Sequence, residues 1–133
     1  MHYLVDSDVF LHVLLHTDRS EEAREFLDKY SNDIGTTVLN IMEIGSVLSR
    51  KYRWRKRDIN KVIDVIKKTL TILIPTEYDM LDAMELSLKH YLSPIDALML
   101  VMSKNKGLIL VTFDGELLKY KEKSFAVQTP SKR

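Results

Sequence analysis

The sequence predicts an α/β fold: a three-layer α/β/α sandwich around a short central parallel sheet. Three observations predict it. Short β-branched runs alternate with segments of helical period along the chain, which favours parallel strands joined by helical crossovers. The strand-like runs are nearly continuous in hydrophobicity, as in a sheet covered on both faces. Caps, prolines and glycines fall at the joints between them. At 133 residues, with 45% hydrophobic and 29% charged residues, the chain has the size and composition of one globular domain with a full core. Residues 1–130 are expected to form it, and residues 131–133 read as a frayed tail.

The first strand is expected at residues 2–6, where Tyr3-Leu4-Val5 runs into Asp6. An apolar helix follows at residues 7–16. Asp18 and Glu21 have the spacing of a capping box and open a second helix, whose stripe is Ala23, Phe26, Leu27 and Tyr30. Residues 34–36 form a short strand, and Thr37 caps a helix running to Arg50. Asp58 caps the next helix, with Ile59, Val62, Ile63 and Ile66 on one face. The strand at residues 71–74 is stopped by Pro75. Thr76 and Asp79 repeat the capping-box pattern before a helix that reaches His90. Ser93-Pro94 opens the following helix, proline being favoured at the first helical position, and Gly107 ends it. Residues 108–112 are a buried strand, and residues 125–128 are the last.

Composition excludes several chemistries. The chain has no cysteine, so disulfides, thiolate zinc sites and cysteine nucleophiles are ruled out, in keeping with a reducing, cytoplasmic setting. Its longest wholly apolar run, residues 97–102, is far short of the ~18 residues of a membrane span. The N-terminus runs straight into a strand without a signal-peptide pattern. No membrane partner is expected. Net charge is +1, so any affinity for nucleic acid must come from local charge.

Four carboxylates are embedded in apolar segments: Asp6 after the first strand, Glu43 in Leu39-Asn40-Ile41-Met42-Glu43-Ile44, Asp96 in Pro94-Ile95-Asp96-Ala97-Leu98, and Asp114 after Val111-Thr112-Phe113. An ionised carboxylate in such surroundings costs several kcal/mol unless it is paired, hydrogen-bonded or metal-bound. Singly, each has an ordinary reading. Asp6 can cap the helix that follows, Asp96 can complete a capping box with Ser93, and Asp114-Gly115 is a common turn dipeptide. Glu43 resists, since Leu39, Asn40, Ser46 and Val47, one turn away, offer no ion-pair partner. The fold brings strand ends and helix starts to one sheet edge, where ligands bind in open α/β sheets. Carboxylates in close pairs there would repel by ~4 kcal/mol each at an effective dielectric of about 20. A hard divalent cation, Mg²⁺ or Mn²⁺, removes that cost. Asp8 is a fifth candidate ligand. Ser7 and Thr112 suit hydrogen bonds to the ligating carboxylates, or else ordinary capping and strand-end packing. The pair His12 and His16 could clip a transition metal, but it lacks the Glu of a His-Glu-x-x-His motif.

A second feature is basic. Arg50, Lys51, Arg53, Arg55, Lys56 and Arg57 surround Tyr52 and Trp54 in one stretch. The cations suit phosphate neutralisation, and either aromatic suits stacking on unpaired bases. The competing readings are a solvated helix end complementing the helix dipole and, for Trp54, an interface between copies.

These residues resemble a family. Val5-Asp6-Ser7-Asp8-Val9-Phe10, Glu43 in the third helix, Leu92-Ser93-Pro94-Ile95-Asp96-Ala97 and Thr112-Phe113-Asp114 are similar, in order, spacing and context, to PIN-domain ribonucleases, in particular the small VapC-type toxins of toxin–antitoxin pairs. The resemblance spans nearly the whole chain. It implies that Asp6, Glu43, Asp96 and Asp114 form a metal-binding, catalytic acidic site that hydrolyses RNA phosphodiester bonds. It also implies a homodimer and a cognate antitoxin that occupies the active-site groove. One departure is Asp8, where many relatives carry Asn or Ser. The readings left beside it are a non-catalytic RNA-binding or assembly module on the same scaffold, a housekeeping RNA-processing nuclease, and DNA as substrate. A phosphoacceptor signalling domain fits poorly, because Asp6-Ser7-Asp8 is not the acidic pair it needs.

Overall fold

The computed structural model describes residues 1–131. Five strands, β1 (Tyr3–Val5), β2 (Ile34–Thr37), β3 (Thr71–Leu73), β4 (Ile109–Val111) and β5 (Val127–Gln128), form one sheet in the order β3-β2-β1-β4-β5, with every pairing parallel. Successive strand residues face opposite sides, and this divides the core in two. Leu4 and Leu110 pack with Ala83, Leu98, Met102 and Leu117 on one side. Val5 and Val111 pack with Phe10, Phe26, Ile44, Leu48 and Ile66 on the other. The second side is covered by α1 (Ser7–Leu14), α2 (Ser20–Lys29), α3 (Val38–Arg50) and α4 (Lys56–Thr69); the first by α5 (Glu77–His90) and α6 (Pro94–Asn105). This is the three-layer sandwich the sequence predicts.

The strand order explains the division. The chain moves outward from β1 to β2 to β3, then returns to β4 on the other flank of β1. With crossovers of one hand, reversing direction along the sheet moves the helices to the opposite face. The reversal leaves a crevice at the carboxyl ends of β1 and β4, the position favoured for ligands.

Several local expectations need correction. α1 ends at Leu14 rather than at residue 16, because His16 takes a left-handed φ of 52° and the Thr17 N–H returns to His12 O at 3.3 Å. Asp18 makes no cap: α2 starts at Ser20 and its N-cap, Arg19, has no side-chain bond. α4 begins at Lys56, so Asp58 lies inside its first turn instead of capping it. The cause is the turn before it, where Arg53 has φ of 60° and the Trp54 N–H reaches back to Leu48 O at 3.0 Å. β3 stops at Leu73, and Ile74 is exposed. The Thr37 and Thr76 caps form as expected, each as a full capping box, with Asn40 and Asp79 as partners. Between β4 and β5 the sequence reading missed α7 (Gly115–Leu118) and a 3₁₀ segment, Lys119–Lys123. Of the expected tail, Ser131 is exposed, while Lys132 and Arg133 lie outside the described residues. No helix among the described residues is long and apolar enough to cross a membrane.

Candidate active site

Parallel pairing of β1 with β4 matches Val5 to Val111, so the next residues, Asp6 and Thr112, leave the sheet side by side. The Asp6 N–H continues the ladder to Val111 O at 2.9 Å. Asp6 then turns the chain into α1 as its N-cap, accepting the Ser7 N–H at 2.8 Å. Its side chain is 6% exposed and hydrogen-bonded on both oxygens. Oδ1 also accepts from Asn40 Nδ2 at 3.3 Å, and Oδ2 accepts the Thr112 hydroxyl at 2.8 Å.

Asn40 is a site residue that sequence reasoning passed over. Its Oδ1 accepts from the Thr37 N–H and hydroxyl, at 3.1 and 2.7 Å. The capping box at the start of α3 therefore orients the amide that holds Asp6. The signal was available: an asparagine inside Val38-Leu39-Asn40-Ile41 is as anomalous as Glu43, and it is fully buried.

Ser7 and Thr112 both bond to carboxylates, the first of the alternatives the sequence left for them. The Ser7 hydroxyl donates to Glu43, linking α1 to α3. Thr112 Oγ1 lies 2.8 Å from Asp6 Oδ2 and 3.2 Å from Asp8 Oδ2 while accepting the Asp114 N–H at 3.0 Å. A hydroxyl has one proton to give, so Thr112 satisfies one of the two aspartates at a time. Asp8 Oδ2 also receives the Phe113 N–H at 3.0 Å. Its Oδ1 is buried without a partner.

Asp114 caps α7, accepting the Glu116 N–H at 2.9 Å. Asp96 is the third residue of α6, and its N–H bonds to Ser93 Oγ at 3.3 Å. The five acids act on one another. Burial first, and then the neighbouring Asp8 charge with a contribution from Glu43, push Asp6 up to about 7 against the hydrogen bonds from Thr112 and Ser7. Asp8 is pushed up to about 6, mainly by burial and further by Asp114, although the Phe113 and Thr112 bonds oppose this. Asp96 is raised by burial and by the charges of Asp114 and Glu43. The structure thus brings together Asp6, Asp8, Glu43, Asp96 and Asp114.

Oxygen-only donors suit a hard cation, and the orphaned Asp8 Oδ1 is an acceptor a cation would satisfy. Among the described residues, no three such side chains stand close enough together to hold a metal ion. The donor chemistry therefore fits a hard cation, while the spacing of the side chains is wider than a bound ion would require. His12 and His16 do not form the alternative clip. His12 is held by Thr17 Oγ1 at 2.6 Å, and His16 sits in the left-handed turn after α1.

The basic stretch divides on folding. Trp54 is half-buried, packing on the core beside α4, and Tyr52 is the exposed aromatic. Arg50, Lys51, Arg53, Arg55, Lys56 and Arg57 are all exposed. Arg50, in the last turn of α3, follows Glu43 by two turns of 3.6 residues and shares its face. A groove of about 400 Å³ lined by Ser46, Val47, Arg50 and Lys51 covers that path. Helix-dipole complementarity explains Arg50, but Lys56 and Arg57 open α4, where the dipole disfavours cations. A cavity of about 720 Å³ with Leu86, Val101 and Phe125 in its wall contains none of the five site acids.

Solved structures of low identity share this fold. VapC20 of Mycobacterium tuberculosis, described as a sarcin-ricin-loop-cleaving toxin, matches with a TM-score of 0.76 at 17% identity, over 88% of this chain and 93% of that one. VapBC-1 of nontypeable Haemophilus influenzae matches with 0.76 at 12% identity, over 99% and 100%. PAE2754 of Pyrobaculum aerophilum matches with 0.69 at 22% identity, over 90% and 84%. None of the curated proteins matches the chain. The sequence model of the PIN domain matches residues 3–123, a span that holds all five acids and the whole sheet except β5, and the chain belongs to the PIN domain family.

Proposed function

We propose that the protein is a metal-dependent endoribonuclease that hydrolyses RNA phosphodiester bonds at Asp6, Glu43, Asp96 and Asp114, with Asp8 as a fifth donor. The observation that carries this reading is the convergence of five carboxylates on the crevice between β1 and β4, with Asp8 Oδ1 buried and unpartnered. The family and the toxin neighbours support a nuclease that acts on nucleic acid. When bound, Mg²⁺ or Mn²⁺ supplies positive charge for the transition state and acidifies the attacking water. The chain's own groups set the geometry. Thr112, Asn40 and the Ser7 N–H fix Asp6, and the Ser7 hydroxyl fixes Glu43. Attack on phosphorus breaks the bond to the leaving ribose oxygen; the proton lost by water passes to a carboxylate, and the leaving oxygen takes a proton from solvent. Arg50, Lys51, Arg53, Arg55, Lys56 and Arg57 receive the flanking phosphates, with Trp54 holding their loop to the core.

The role we infer is that of a VapC-type toxin with a cognate antitoxin, as in the toxin–antitoxin complex of Klebsiella pneumoniae, whose fold is shared with a TM-score of 0.72 at 17% identity over 98% of this chain and 99% of that one. A cytoplasmic homodimer completes the reading. An apolar stripe on α5 supports it: Tyr78, Leu81, Met84 and Leu88 are exposed, and Tyr91 beyond them is 95% exposed. Such a patch on a small protein marks an interface.

The test is RNA cleavage by the purified protein in Mg²⁺, in EDTA, and by Asp6→Asn in Mg²⁺. Cleavage is expected only in the first; equal cleavage in all three refutes the mechanism.

A further inference from the structure

The turn between α1 and α2 carries a cluster that the acidic site does not use. The Arg19 guanidinium lies over the Phe113 ring, 4.9 Å from its centroid. The His12 imidazole meets the same ring edge-on, at 4.8 Å and 79°. His12 Nδ1 is 2.6 Å from Thr17 Oγ1, which accepts the Arg19 N–H at 3.2 Å. The turn is therefore tied to Phe113 at two points and braced within itself. Phe113 is no remote anchor: its own N–H bonds to Asp8, and its chain neighbours are Thr112 and Asp114.

Arg19 is exposed and, among the described residues, has no carboxylate within ion-pair distance, although Glu22 stands one helical turn further on. A cation seated on an aromatic face keeps its charge and needs no acceptor, so the guanidinium fork is left free. Burial and the Arg19 charge hold His12 below the usual imidazole range, against Asp18 and Glu22. The positive charge here accordingly belongs to Arg19. A site of five carboxylates that must receive a polyanion needs a fixed cation at its rim, and arginine is the residue suited to fork a phosphate.

We propose that Arg19, seated on Phe113 and braced by His12 and Thr17, forms a subsite for a backbone phosphate next to the scissile one. The subsite lies at the β4 side of the acids, whereas the basic stretch 50–57 extends from α3. Two cationic contacts on either side would set the path of the RNA strand across the crevice. This inference rests on the nuclease reading of the acidic site.

The test compares wild type, Arg19→Gln and Arg19→Lys on one single-stranded RNA oligonucleotide. Cleavage constants are measured in Mg²⁺, and binding by fluorescence anisotropy with Ca²⁺ in its place, at several salt concentrations. Arg19→Gln keeps a planar head over the ring without the charge. It is expected to raise KM and Kd roughly five- to tenfold, with kcat changed far less, and to lower the log–log salt slope by about 0.7, the value for one phosphate contact on a single strand. Arg19→Lys should recover the slope. If Arg19→Gln leaves Kd and slope at wild-type values, or raises KM with an unchanged slope as a purely structural role would, the subsite is overturned and the nuclease reading stands. If the wild type neither cleaves nor binds the RNA, both fall.

Discussion

Removing divalent cations should make stability fall as pH rises, and the structure sets the size of the fall. Asp6 has an ordinary value of 3.8 and is held up to about 7 in the fold; Asp8 is held up to about 6. A carboxyl raised on folding binds more protons in the native than in the unfolded state, so unfolding free energy decreases with pH between the two values. For Asp6 the window runs from 3.8 to about 7, and at 1.36 kcal/mol per pKa unit it corresponds to roughly 4 kcal/mol. The Asp8 charge is itself a cause of the Asp6 shift, so the two contributions do not add. For a chain of this length, ~4 kcal/mol is on the order of 15 °C in Tm. Thermal unfolding in EDTA should therefore show a Tm that declines steadily from pH 4.5 to pH 7.5. Adding Mg²⁺ at pH 7.5 should restore most of it, since a ligand of the native state stabilises by mass action. Asp6→Asn removes the titrating group and should flatten the EDTA profile. Parallel pH profiles for wild type and Asp6→Asn in EDTA would refute the reasoning, because the slope would then originate elsewhere.

Thr112→Val removes the hydroxyl shared by Asp6, Asp8 and the Asp114 N–H with little change of shape. Urea denaturation in EDTA at pH 7.5 should show a loss of about 1–3 kcal/mol, and a loss near zero would mean the hydroxyl bonds carry no net energy. Leu88→Glu places a charge in the exposed stripe of α5, where Leu88 is 71% exposed. Light scattering should give a dimer for wild type and a monomer for the variant with an unchanged far-UV spectrum; a dimeric variant would move the interface elsewhere.

The sheet and most helices were legible because their signals are redundant. β4 follows a glycine, is apolar throughout and is preceded by a helix with a serine cap and proline at its start. α7 and the 3₁₀ segment were not legible, since four or five residues cannot display a helical period. The starts of α2 and α4 were misread for a different reason. Asp18 and Asp58 are good capping residues by type, but His16 and Arg53 adopt left-handed backbone in the turns before those helices. Those turns are set by tertiary contacts: His12 with Phe113, and Trp54 with the core. A cap preference of about 1 kcal/mol yields to burial of an indole. The same packing leaves Trp54 half-buried within the exposed basic stretch, which no local pattern announces.

At the acids, two roles that look like alternatives along the chain coincide in the fold. For Asp6, Asp96 and Asp114 the sequence offers capping as the alternative to metal binding, yet in the fold capping positions and the acid cluster coincide. Asp6 caps α1 and Asp114 caps α7, Asp8 is the second residue of α1, and Asp96 is the third residue of α6. Each meets the positive end of a helix, where a carboxylate gains roughly 0.3–1 kcal/mol or more when partly buried. Helix starts thus offset part of the mutual repulsion while leaving other oxygens free, and the cap is how the fold tolerates the acid cluster. Glu43 lies in the middle of α3, where no such end is available, and it is the acid that takes the Ser7 hydroxyl instead. Asp8 Oδ1 has neither. If one acid in the cluster depends on a cation for its last partner, it is Asp8.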